Sequence, residues 1–132
     1  MSDPSWAVQK AIFTALNGNV KWNGATVPVY DNVPQDAAYP YVSFDEQLSV
    51  EADYLAERKD DRTFYLSVWS NQPGKKQVLE IMAALDALLH RKRFTMDVGY
   101  MVTCYVARKS TQRDIDRVTY QGFVTLRIVT TH

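Results

Sequence analysis

The residues best placed to do chemistry are three acidic pairs: Asp45-Glu46, Asp60-Asp61, and Asp114 with Asp116. Carboxylates this close together can share acid–base work or hold a divalent cation such as Mg²⁺. A catalytic carboxylate normally sits at a strand end beside a cleft, with its pKa raised by burial. These pairs instead fall in loops or at loop edges. Arg58, Lys59, Arg62, Arg113 and Arg117 are interspersed with them. We read the pairs as solvated, salt-bridged loops. A small hydrolase using the Asp60/Asp61 or Asp114/Asp116 carboxylates is the enzyme alternative.

The other reactive groups have plainer readings. His90 and His132 have no Cys, Asp or Glu at metal-ligand spacing, so both are expected to be solvated. Cys104 stands between Val102 and Val106 in an apolar alternation and reads as a small buried hydrophobe. A nucleophilic thiol would need a nearby base or a helix start to lower its pKa. Phosphate-cradling glycine loops, GxSxG and HExxH are absent from the sequence. We therefore expect no cofactor, no metal and no enzymatic activity. A third reading, a small-ligand domain with an aromatic pocket, would use Trp22 and Trp69.

Charge narrows the partners. Lys plus Arg equals Asp plus Glu at 15 each, giving a formal net charge of zero. A dedicated DNA binder carries a basic excess. Lys75-Lys76, Arg91-Lys92-Arg93 and Arg108-Lys109 could touch phosphates only weakly. Zero net charge gives little colloidal repulsion, which suits a protein that assembles with others. The single cysteine agrees with folding in a reducing compartment. Met1 to Trp6 shows no secretory signal, and no run of about 18 apolar residues exists to span a membrane.

The elements that must position these residues can be read from periodicity. The 132 residues fit one domain, 1–132. Val8, Ile12 and Leu16, widened by Trp6 and Phe13, predict a helix from Pro4 to Asn17 capped by Asp3 and stopped at Gly18. Val20 to Tyr30 reads as a short hairpin about Asn23-Gly24, a pair that accepts positive φ. Tyr41 to Leu48 predicts a strand entered after Pro40. Ser49 to Asp61 is charged and reads as a surface excursion between strands. In Arg62 to Ser70, Phe64, Leu66 and Val68 share one face while Tyr65 and Trp69 take the other. Val78, Ile81, Met82, Leu85, Leu88 and Leu89 mark a second helix from Pro73 to His90, capped by Ser70 or Asn71. Phe94 to Ala107 and Arg117 to Thr130 alternate as two long strands, joined by the polar connection Arg108 to Asp116. The order predicts an α+β fold: an antiparallel sheet of four to six strands with both helices on one face. Tyr65, Trp69, Tyr105 and Phe123 would stand on the other, partly open face, which either offers a partner surface or is covered by the Ser49–Asp61 segment folding back over it.

Several segments then carry a resemblance. Val8-Gln9-Lys10-Ala11-Ile12 and Leu16 are followed by Val29-Tyr30-Asp31-Asn32-Val33-Pro34 and by Tyr39-Pro40-Tyr41-Val42. Leu66-Ser67-Val68-Trp69-Ser70 precedes Gly74 and the second helix, and Tyr120 to Arg127 forms the last strand. In order, spacing and length this resembles the tail-completion (tail terminator) family of long-tailed phages and phage-like particles, over nearly the whole chain. The resemblance implies a homo-oligomeric ring, typically a hexamer, at the head–tail junction of a virion. It would cap the tail tube, end tail polymerisation and dock the head-completion or stopper protein. DNA would be cargo passing through the lumen, and no membrane would be involved. Assembly in the bacterial cytoplasm is implied, with a phage, a prophage or a gene transfer agent as origin. A neighbouring connector or stopper subunit would share these cues.

A cyclic ring needs two different patches that meet between neighbours. Hairpin edges such as Phe94–Ala107 could add strands, and charged loops could fix register. The contact residues expected on this ground are Tyr54, Leu55, Arg58, Trp69, Gln112, Arg113, Asp114 and Asp116.

Overall fold

The structure, a computed structural model, describes residues 4–51, 59–113 and 119–131. Helix α1 spans Ser5–Leu16, and its inward stripe is Ala7, Val8, Ala11, Ile12 and Leu16. Trp6, expected on that stripe, instead points outward and is 67% exposed. Asp3, the expected cap, lies outside the described residues. Gly18 follows with a φ of 78°, as a helix stop requires.

A small ribbon comes next, with β1 (Lys21–Trp22) paired to β2 (Ala25–Thr26). Asn23 and Gly24 take φ values of 54° and 84°, the double positive φ of a tight hairpin turn. The main sheet holds β3 (Val29–Tyr30), β4 (Tyr41–Glu51), β5 (Lys59–Ser70), β6 (Tyr100–Arg113) and β7 (Tyr120–Thr131). Their order is β3-β4-β5-β7-β6. All neighbours are antiparallel except β3, which runs parallel to β4. The expected antiparallel sheet is thus mixed at one edge, because Val29–Tyr30 leaves the ribbon and enters beside β4.

Helix α2 spans Lys76–Leu89 and begins three residues later than the pattern predicted. Gly74 at a φ of 82° cannot join a right-handed helix. Neither Ser70 nor Asn71 caps it. The Ser70 hydroxyl donates to Gln77 Oε1 and accepts the Gln72 N–H at 3.2 Å.

Both helices pack on one face of the sheet. The core joins Val8, Ile12 and Leu16 of α1, Val78, Ile81, Leu85 and Leu89 of α2, and inward residues of all five strands of the main sheet. Val42 and Phe44 come from β4, Phe64, Leu66 and Val68 from β5, Val124, Leu126 and Ile128 from β7. Helix α2 packs tightly on β7 at Gly122. A Cβ there would stand 2.6 Å from Val78 Cγ1 and 2.8 Å from Met82 Sδ.

The strands run further than the sequence pattern predicted. β4 continues to Glu51 and β5 begins at Lys59, so both ends of the expected charged excursion are paired strand. β6 begins at Tyr100 rather than Phe94 and continues to Arg113. The polar stretch Arg108 to Arg113 is therefore strand, paired with Tyr120 to Thr125 of β7.

Candidate assembly surface

The face away from the helices is the surface on which Trp69 was expected. Registers place Tyr41, Leu48 and Val50 of β4 there, with Asp61, Thr63, Tyr65, Ser67 and Trp69 of β5. Gln121, Phe123, Thr125 and Arg127 of β7 continue it, followed by Tyr105, Arg108, Ser110 and Gln112 of β6. No helix covers this face among the described residues.

An aromatic row marks one end. Trp69 stacks on Tyr41 with ring centres 6.4 Å apart, and Tyr41 meets both Tyr39 and Tyr30. Trp69 Nε1–H donates to Ser43 Oγ at 3.2 Å. Burial, and next the neighbouring Tyr39, push the Tyr41 hydroxyl pKa up. A bulge at Asp45-Glu46 lets Asp45 accept from Ser43 Oγ at 3.4 Å and from Ser67 Oγ. In mid-face, Arg127 forks onto Asp61 at 3.2 and 2.5 Å. That hydrogen-bonded pairing raises the Arg127 pKa, its charge attraction adding to the effect.

Three of the expected contact residues, Trp69, Gln112 and Arg113, lie among the described residues. Trp69 and Gln112 share the open face. Arg113 pairs with Tyr120 and lies over its ring at 5.9 Å, on the helix side of the sheet. Its guanidinium is therefore held beside an aromatic ring rather than set in a turn. Tyr54, Leu55, Arg58, Asp114 and Asp116 lie outside the described residues.

The carboxylate pair proposed for hydrolysis is separated. Asp60 and Asp61 are successive strand residues and so point to opposite faces. Asp61 is held by Arg127 on the open face. Asp60 is 2% exposed and accepts from Arg62 Nη2 at 3.0 Å. Asp60 was read as solvated; it is buried because β5 starts before it. Arg62 is fully buried as well. Its Nε donates to Thr130 Oγ1 at 3.0 Å, and its Nη1 to Ser5 Oγ at 2.8 Å and to Gln47 Oε1 at 3.0 Å. One guanidinium thus joins β4, β5, β7 and the start of α1. The signal was present: Arg62 has the parity of Phe64, Leu66 and Val68, a charge on the core face.

The remaining candidates divide. Cys104 is buried, and desolvation pushes its thiol up to about 12 from 9.0, consistent with an inert core residue. His90 is not simply solvated: its Nδ1 accepts the Val106 N–H at 3.0 Å, at a bulge in edge strand β6. Trp22 lines a recess of about 220 Å³ with Tyr39, Pro40 and Gln77. Trp69 takes no part in it, so the two tryptophans do not build one aromatic pocket. Among the described residues no group of three or more His, Cys, Asp or Glu could hold a metal ion.

The sequence model of the family described as "Tail completion protein gp17" matches residues 10–131. The chain belongs to this tail-completion family. It is with that family a structural protein of the virion tail. A chain from the virion of a native gene transfer agent particle is similar in structure, with a TM-score of 0.86 and 19% identity, each chain covered in full. At that identity the likeness concerns the fold. A comparison with curated proteins finds no match.

Proposed function

We propose that copies of this chain close into a ring, a hexamer, that caps the tail tube and ends its polymerisation. The ring's outer end would then dock the head-completion or stopper protein. DNA crosses its lumen as cargo and is not a specific ligand, in keeping with 15 basic residues balanced by 15 acidic ones. Assembly takes place in the bacterial cytoplasm before the tail joins the head. No catalytic step, metal or cofactor enters this reading.

The observation that carries the reading is an extended sheet whose far edge, the fourteen-residue β6, pairs with β7 on one side and with no strand on its outer side among the described residues. Soluble monomers usually shorten, cover or block such edges. Here it lies beside an open face bearing Trp69, Tyr65, Tyr105 and Phe123. Such an edge is one of the two unlike patches that a cyclic assembly needs.

Tail-tube protein polymerised with and without this chain provides the test, with tube lengths and ends viewed by electron microscopy. The reading predicts extra density at one tube end and shorter tubes as the chain is added. Unchanged lengths with bare ends would contradict it.

A further inference from the structure

The sheet has two incomplete edges, and they lie at opposite corners. On one side, β3 covers β4 only at Val42 and Ser43. Beyond the bulge, Gln47 to Val50 have no outer strand among the described residues. Leu48 and Val50 there are 48% and 58% exposed. On the other side, His90 occupies the Val106 N–H in the middle of β6. The run Arg108 to Arg113 lies beyond that block, toward the corner opposite the open part of β4.

The two runs complement one another in direction. β4, β5, β7 and β6 alternate in direction, so β4 and β6 are antiparallel. A sheet continued from β6 of one copy into β4 of the next therefore keeps antiparallel pairing at the junction. The β4 run is flanked by exposed Asp45 and Glu46, and the end of the β6 run that would meet them carries Arg113, while Lys109 is held by Asp86 at 2.8 Å. The near half of β6, Tyr100 to Tyr105, offers no basic residue.

We infer that the second copy in the ring is held by β-strand addition between Gln47–Val50 of one subunit and Ser110–Arg113 of its neighbour. The inference rests on the ring proposed above and names the contact that closes it. In this register Val50 of one copy stands beside Ser110 of the next, and Leu48 beside Gln112. All four residues belong to the open face, so that face runs unbroken from copy to copy.

The stagger this demands is the one closure requires. Val50 lies level with Asp61, and Ser110, through Phe123, with Ser67. The neighbour is therefore shifted six residues along the strands. That is about 20 Å, against about 19 Å for the width of four strands. Strands staggered so tilt by about 45°, at the top of the 35–45° range typical of closed barrels. Level pairing of Val50 with Thr103 gives no tilt.

Paired cysteines test the contact in the full chain, in a Cys104→Ala background verified as folded by circular dichroism. Val50→Cys with Ser110→Cys should oxidise to a ladder of covalent multiples reaching the closed ring. Either single variant should stop at dimers. If the oligomer forms at its normal mass but gives no ladder, the strand pairing is wrong and the ring stands. A ladder from Val50→Cys with Thr103→Cys instead would also overturn the staggered register. If the parent chain forms no oligomer under any condition, including with tube protein, the ring and this contact fail together.

Discussion

Arg62 is the residue on which one corner of the fold turns. Its charge is buried with Asp60, and its other donors reach three further elements. Removing one member of a buried pair strands the other without solvent. Arg62→Ala should therefore cost about 3–5 kcal/mol in urea unfolding. The double variant Arg62→Met with Asp60→Leu should lose much less, because no unpaired charge remains. Cys104 makes a pH prediction. Its folded pKa, about 12, exceeds its ordinary 9.0, so its contribution to stability is complete below pH 9. As pH rises from 9 toward 12 the unfolded chain ionises first and that contribution is lost. Wild type should lose stability faster than Cys104→Val over this window, with Tyr41 adding a loss of the same sign to both. The Cys104 role was legible from its apolar neighbours. Arg62 was hidden by the charged residues just before it, which drew the reading toward a solvated loop.

At the scale of elements, Gly122 sets the distance between α2 and β7. Gly122→Ala would drive a methyl into Val78 and Met82, and Val78 has little rotamer freedom to yield. The expected loss is about 1–3 kcal/mol, as for other overpacked cores. Adding Val78→Ala should restore part of it, which denaturation of the double variant would show. Strand existence was readable wherever one face had to be apolar, as in Phe64 to Val68 and Val124 to Ile128. Strand length was not. Arg108 to Arg113 lies on an edge strand at the margin of α2, where water reaches one side and polar residues serve as well as apolar ones. The same holds for Ser49 and Val50, where exposure leaves no alternation to read. The parallel entry of β3 had no sequence signal, because two residues are too few to show a period.

For the whole molecule, the readable part was the α+β plan, the face carrying the helices and the aromatic residues of the opposite face. The family segments supplied the tail assignment, which the match over residues 10–131 supports. What periodicity could not supply was the position of the free edges, since these depend on which strands become neighbours. Closing such a sheet in a ring uses the free edge of β4 and that of β6 in every copy, and that is the physical reason to expect a defined oligomer rather than an open series. Native mass measurement of the purified chain, alone and mixed with tail-tube protein, tests this most directly. The account predicts a single discrete species of six subunits in at least one of the two conditions. A strict monomer in both, never bound to tube ends, would contradict it.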